Sequence, residues 1–330
     1  RCGVKQMTEK NTLVKKNNDA FRRFMGNYGI GAVLLIMMIG IGIMEPRFAT
    51  KVNFINVAAQ VSINGMIAYG MCLAITTGGI DLSVGAQLAL TSCVLGQTIT
   101  NMNMNIWLAC FIALLVSTAF GCLNGILIAK FNMFPFVVTL STQLIIRGLS
   151  QVISSGKAIS LTSDTFKGIY SNKLLSIPVP IVMLFVVTII VYLLMHWTVF
   201  GRYIFAVGGN VNAAIASGVS EFKTKVGVYT VSGLLAGIAA IIFTAKTGSA
   251  QSNIGIGYET DAVAACVLGG TSFAGGIATI PGVLMGIFII GFIYNGMNLI
   301  GVSSYYQSIV KGSVIVGAVL LDMLMNKKNQ

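Results

Sequence analysis

Apolar runs long enough to cross a hydrocarbon core recur along this chain, and few charges interrupt them. A helix needs about 20 predominantly apolar residues to make that crossing. Residues 28–44, 56–77, 82–99, 106–129, 135–153, 178–197, 226–245, 280–297 and 305–325 each come close to that length. Only 9% of the 330 residues are Asp, Glu, Lys or Arg, against about 25% in a soluble domain. A membrane β-barrel would instead show short segments of alternating hydrophobicity. With a tenth, shorter run at 259–268, the pattern predicts an all-α polytopic membrane protein of about ten transmembrane helices, some of them broken or re-entrant.

The formal net charge of +12 does not read as a nucleic-acid signal, because of where the charge lies. Arg1, Lys5, Lys10, Lys15, Lys16, Arg22 and Arg23 all precede the first run, and Lys327 and Lys328 follow the last. Positive residues cluster on the cytoplasmic side of membrane proteins, so both termini are expected inside, with an even number of spans. The chain then divides into a basic cytoplasmic tail at 1–27, one transmembrane domain at 28–325 and a short cytoplasmic tail at 326–330. Residues 1–6, ahead of Met7, read as an upstream extension. Cys72, Cys93, Cys110, Cys122 and Cys266 lie in or beside apolar runs with no metal-ligand spacing, so they read as small buried residues. No metal site is expected.

Two polar stretches interrupt the hydrocarbon pattern. The first is Gly78-Gly79-Ile80-Asp81-Leu82-Ser83-Val84-Gly85. Its glycines break the incoming helix, and Asp81 can cap a new one on the amides near Ser83 and Val84. Such a break is tolerated at membrane depth only where protein or a water-filled path covers the backbone. That favours a broken helix beside a transport path; the plainer alternative is a capped turn. The stretch is echoed by Gly269-Gly270 with Gly276, and the short run 259–268 before the echo suggests a half-membrane helix, as transporters use to line a path.

The second stretch is 201–225, too polar to span. There Gly208-Gly209-Asn210 can cap a short helix, 211–217, that Gly218 stops. Small-sided, neutral and bounded by glycines read as flexible, the helix suits docking to a cytoplasmic partner; a plain connector is the alternative.

The chain has no nucleotide site of its own: Ser155-Gly156-Lys157-Ala158 lacks both the upstream glycine and the hydroxyl residue that follows lysine in a phosphate-binding loop. Amides and hydroxyls dominate the polar residues in the spans, which suits a neutral polar ligand. Gln60, Asn64, Asp81, Ser83, Gln87, Asn295, Asn298 and Gln307 are the candidates for lining a path, with interhelical hydrogen bonds as the alternative role. Arg147 and Lys311 are charged within spans, which is costly, and are expected to pair with acids of the bundle or to reach the interface. His196, beside Trp197, reads as an interface residue.

Several blocks in order carry a family resemblance: Thr77-Gly78-Gly79-Ile80-Asp81-Leu82-Ser83-Val84-Gly85; Pro135-Phe136-Val137-Val138-Thr139-Leu140 with Arg147-Gly148; Gly208-Gly209-Asn210 with Ala213-Ala214 and Ser217-Gly218; Gly257-Tyr258-Glu259-Thr260-Asp261-Ala262; and Asn295-Gly296-Met297-Asn298 with Tyr305-Tyr306-Gln307 and Lys311-Gly312. From about residue 28 to 324 the chain resembles the ribose/galactose/xylose class of sugar ABC-transporter permeases, and Tyr305-Tyr306 leans toward the ribose branch. Thr260 departs conservatively from the leucine many relatives carry.

The resemblance implies a type II ABC-importer-like permease fold and two permease copies around a shared path. It implies a cytoplasmic ATPase with two nucleotide-binding modules that uses ATP-Mg, and an extracytoplasmic sugar-binding protein; the permease itself binds no cofactor. Residues 208–225 become the coupling loop, with Gly208, Gly209, Asn210, Asn212, Ala213, Ala214, Ser217 and Gly218 at the ATPase. The implied function is import of ribose by alternating access in the bacterial inner membrane. Galactose, xylose or autoinducer-2 are alternative solutes. An ion-coupled secondary transporter working through Asp81 is the rival mechanism, and an intramembrane enzyme lacks the residues it would need.

Overall fold

A computed structural model describes residue 31 and residues 34–326, with backbone alone for 318 and 321–326. The basic tail, the start of the first run at residue 28 and residues 327–330 lie outside the described residues.

The described residues are mostly helical: α1 (Leu34–Met44), α2 (Lys51–Thr76), α3 (Val84–Gly96), α4 (Ile106–Phe131), α5 (Pro135–Ser154), α6 (Asp164–Ser171), α7 (Val179–Trp197), α8 (Val199–Gly209), α9 (Val211–Ala216), α10 (Glu221–Thr247), α11 (Tyr258–Leu268), α12 (Ile280–Ile300) and α13 (Ser304–Asn326). Among the described residues six helices, α2, α4, α5, α7, α10 and α12, are long and apolar enough to cross a membrane alone. α3 and α11 are shorter, about 20 and 16 Å at 1.5 Å per residue, and so reach only part-way through a core of about 30 Å. The short length expected of 259–268 is seen in α11, which spans Tyr258–Leu268.

Local chemistry places the ends. Pro46 closes α1 in a single 3-10 turn, Pro46–Ala49, whose cap Glu45 also pairs with Arg47 at 2.8 Å. That guanidinium holds the Glu45 carboxyl at about 2, below the ordinary 4.5. Asn105 caps α4 through the amide of Trp107 at 2.9 Å, and Pro135 occupies the first turn of α5, where its missing N–H costs nothing. α2 starts at Lys51, five residues before the apolar run, because Thr50 caps it through the amide of Asn53.

The 201–225 stretch is more ordered than its polarity suggests. α8 runs through Gly208 and Gly209, which are the last helical residues of an element and not a flexible cap. Asn210 alone caps α9, accepting from the amide of Ala213 at 3.0 Å. Gly218 stops α9 at φ +83°, and α10 already begins at Glu221 behind its cap Ser220.

Two antiparallel strand pairs join the loops on one side: β1 (Ile159–Ser160) with β4 (Ser249–Ala250), and β2 (Lys173–Leu174) with β3 (Ile177–Pro178). The helices run alternately between two ends. At the strand-bearing end lie the starts of α2 and α13 and the end of α12. At the other end lie the chain breaks after α2 and α11 together with α8 and α9.

α2 is the axis of the bundle: 83% of its most apolar window is buried, against 28% for α4 and for α5. The perimeter helices carry bare apolar side chains such as Phe111, Leu144 and Ile189, as a lipid-facing surface must. Lipid offers no hydrophobic drive for one helix to seek another, so close approach of small residues holds such bundles together. α4 crosses α10 this way: a Cβ at Gly121 would overlap the carbonyl of Tyr229, and one at Gly125 would meet the backbone of Val226. Gly233 and Gly237 return the contact against Ser117 and Leu114. Gly282 and Gly286 let α12 lie on the backbone of Gly269 and Ala265. All three glycine pairs at four-residue spacing work as helix contacts.

The glycine echo is real but displaced by one residue. α2 ends with the amide of Gly78 on the carbonyl of Ile75 and that of Gly79 on Ala74; α11 ends with Gly270 on Val267 and Thr271 on Cys266. Both are left-handed C-terminal caps of the same hydrogen-bond pattern, with φ +79° at Gly78 and +81° at Gly270. The structural equivalence is thus Thr77-Gly78-Gly79 with Gly269-Gly270-Thr271. Composition alone had paired the double glycines.

Candidate translocation cleft and coupling element

A cleft of about 290 Å³ opens toward the strand-bearing end. α2 contributes Gln60 and Asn64, α11 Tyr258 and Asp261, α12 Tyr294 and Asn298, and α13 Ser304, Gln307, Ser308 and Lys311. One opposite-charge pair stands in its wall: Lys311 Nζ meets Asp261 Oδ1 at 2.6 Å. The Tyr294 hydroxyl donates to the same carboxylate oxygen at 2.7 Å, and Lys311 also donates to the carbonyl of Gly257 at 3.1 Å. Gln307 donates to Asn298 Oδ1 at 2.8 Å, while the amides of Gln60 and Asn64 carry no hydrogen bond among the described residues. The cleft is therefore polar, neutral in sum and supplied with free donors and acceptors. Such a surface suits a hydroxyl-rich neutral solute better than an ion.

The eight path candidates do not form one group. Gln60, Asn64, Asn298 and Gln307 line the cleft; Asp81, Ser83, Gln87 and Asn295 do not. Asn295 exchanges two amide hydrogen bonds with Asn53, at 2.8 and 2.9 Å, and so staples α12 to the start of α2.

Asp81, Ser83 and Gln87 are fully buried in a second polar assembly near the first break. Asp81 Oδ1 accepts from the amide and hydroxyl of Ser83 at 3.1 and 2.6 Å, and Oδ2 from Ser232 of α10 at 2.8 Å. The Ser83 oxygen in turn accepts from Gln87 at 2.8 Å and from Asn124 of α4 at 2.9 Å. Asp81 accordingly braces the turn that precedes α3. The N-cap position itself falls on Ser83, which makes no side-chain cap bond; the expected bond from Asp81 to the Ser83 amide is made, as one member of this wider knot.

The two intramembrane basic residues also part ways. Lys311 pairs with an acid, as the cost of a lone charge requires. Arg147 donates instead to the carbonyls of Ser252 and Ile254 at 2.7 and 2.6 Å, strapping the segment before α11 onto α5. His196 stacks on Tyr192 with centroids 4.5 Å apart, a surface arrangement.

Sequence reasoning passed over Asp261, Tyr258, Tyr294, Ser304 and Ser308 as cleft residues. The signal was present: Asp261 and Lys311 are opposite charges in two apolar stretches, and each needs a partner. On α9, the candidate coupling element, Asn212, Ala213 and Ser217 are exposed and Ala214 is buried. Ile215, not singled out from sequence, is 49% exposed there, an apolar side chain presented beside small neighbours.

A polar cleft at one end, and two helix breaks with a capped short helix at the other, make a geometry suited to a transporter. Over residues 53–319 the chain matches the family described as branched-chain amino acid transport system / permease component. The chain belongs to that permease family. It is 44% identical over 291 residues to the ribose import permease of Bacillus subtilis, covering 88% of this chain and 90% of the relative. It is 42% identical over 299 residues to the ribose import permease of Escherichia coli, at 89% and 92% coverage. The L-arabinose transport system permease of Escherichia coli is 36% identical over 312 residues, at 94% and 95% coverage. No solved structure matches this permease. It is an integral membrane protein and a transport component, not an enzyme.

Proposed function

We propose that this permease is the membrane subunit of an ATP-driven importer for a neutral monosaccharide, ribose first among the candidates. Its relatives' names supply the sugar class. The observation that carries the reading on this chain is the neutral polar cleft, whose one ion pair is internally compensated. A bundle of ten membrane segments with type II importer topology agrees with six long helices supplemented by α1, α3, α11 and α13.

In this reading the strand-bearing end and the cleft face outward, and both termini, the chain breaks and α8–α9 face the cytoplasm. A binding protein delivers sugar to the cleft. A cytoplasmic ATPase with two nucleotide-binding modules, using ATP-Mg, docks on α9 through Asn212, Ala213, Ile215 and Ser217. A second permease copy completes the path. Binding and hydrolysis of ATP on the partner move α9, and the bundle alternates between outward- and inward-open states.

The test is uptake of labelled ribose by cells carrying this permease with its cognate ATPase and binding protein. Loss of either partner abolishes high-affinity uptake. Uptake that persists without the ATPase and collapses with the proton gradient would overturn the reading in favour of ion coupling.

A further inference from the structure

Both chain breaks and the end of α8 meet at one point, and the contact is between backbones. The amide of Gly276, in the break after α11, donates to the carbonyl of Thr76 at the end of α2, at 2.9 Å. Gly208, in the last turn of α8, is pressed against the same place: a Cβ there would overlap the Thr76 carbonyl oxygen and come within 2.7 Å of the Gly276 nitrogen. A Cβ on Gly276 would stand 2.8 Å from the α-carbon of Gly209, and one on Gly275 would stand 2.7 Å from the Gly208 carbonyl oxygen and 3.2 Å from the Gly78 nitrogen. Gly275 and Gly276 hold φ +84° and +74°, a region that favours glycine. Three segments remote in sequence thus touch through atoms that no side chain separates.

The position of this contact gives it a consequence. Asn210, the cap of α9, follows Gly209 directly, so α8 and α9 are one element with a corner at its cap. Asn64 of the cleft lies about 18 Å up α2 from Thr76, and Asp261 lies on the helix that ends at the second break. A displacement of α9 therefore reaches α2 and α11, two of the four cleft-lining helices, through a joint with no compliant side chain in it. Packed backbone transmits small shifts where flexible side chains would absorb them.

We propose that Gly208, Gly275 and Gly276, closed on the Thr76 carbonyl, form the joint that carries motion of the α8–α9 element to both broken helices. These are positioning residues, acting on the cleft through α2 and α11. The proposal rests on the reading of α9 as the site of a cytoplasmic ATPase.

The experiment uses the complete complex of permease, ATPase and binding protein in liposomes. Gly208→Ala and Gly276→Ala lower sugar transport per ATP hydrolysed by about tenfold, within the span of ordinary coupling energies, and remove the stimulation of ATP hydrolysis by loaded binding protein. Gly40→Ala, a helical glycine with open space around it, changes neither. Transport per ATP unchanged in assembled Gly208→Ala and Gly276→Ala complexes overturns the proposal.

Should those variants fail to assemble, hydrogen exchange on the wild-type complex decides. Between ADP and trapped-ATP states, fragments covering 74–82 and 270–280 change protection together with 205–218. A response confined to 205–218 overturns the joint while leaving the docking of α9 intact. A wild-type complex that neither transports on ATP nor shows any response at α9 defeats the underlying reading, and the joint with it.

Discussion

Asp261 and Lys311 show what a charge inside a membrane protein demands of its neighbours. The carboxylate takes both Lys311 and Tyr294 on one oxygen, and its side chain is only 7% exposed. Removing one partner of such a pair leaves the other uncompensated, at a cost of about 3–5 kcal/mol when both are buried. Lys311 is 22% exposed, so the lower end, about 3 kcal/mol, is expected for Lys311→Met. Thermal melting of the detergent-purified permease should show that loss, and Asp261→Leu combined with Lys311→Met should recover most of it while leaving uptake impaired.

Ser83 gives a second residue-level expectation: its oxygen accepts from Gln87 and Asn124. Ser83→Ala orphans both buried amides, for about 1–3 kcal/mol each. A melting shift no larger than that of an exposed Ser→Ala control, such as Ser308→Ala in the open cleft, would show that the knot is not what holds the break. Asp81→Asn keeps acceptors for Ser83 and Ser232 at one oxygen only, so uptake should weaken yet stay ATP-dependent; uptake that loses a dependence on proton or sodium gradients would instead make Asp81 an ion carrier.

At the scale of elements, α9 and the glycine crossings are where sequence was most and least informative. Asn210 and Gly218 bound α9 by side-chain and backbone rules that act within a few residues, so its limits were legible to within one position. Pro46 and Pro135 set helix ends for the same reason. Gly208 reads as flexible in the sequence because a glycine's crowding is decided by what packs on it, here Thr76 and Gly276, more than 60 residues away in either direction. The division of the path candidates was likewise invisible: Gln60 and Gln87 are the same residue type in similar apolar company, and only the fold turns one to the cleft and the other to Ser83 and Ser117.

Because Ala214 is buried and Ala213 exposed, a double charge replacement of the two would confound docking with folding. Ala213→Arg and Ile215→Glu separately test the docking face: each should leave the permease in the membrane and cut ATP-dependent uptake, measured against the amount of ATPase co-purified. On the crossing of α4 and α10, Gly121→Leu forces the helices apart, for about 1–3 kcal/mol or more, and should lower the melting temperature of the isolated permease. A neutral result would contradict the close packing at Tyr229 and Gly233.

On the scale of the whole molecule, the two ends are specialised. Free amides and a compensated ion pair face one side, and a capped six-residue helix faces the other. The paired breaks lie on the side of that helix, and α2 and α11 run from them to the cleft. Membrane class was legible from charge content, and the family from blocks of motif spread along the chain. The arrangement that links the ends was not, since it depends on backbone contacts between segments that share no local signal.

The most direct test of that arrangement is ribose accumulation in liposomes holding this permease and its ATPase, with ATP inside and ribose-loaded binding protein outside. ATP is supplied on the α9 side and sugar on the cleft side. The account predicts uptake against a gradient that requires ATP and binding protein together and disappears in the Ile215→Glu variant. Accumulation at the wild-type rate without ATP, or undiminished accumulation by Ile215→Glu, would contradict it.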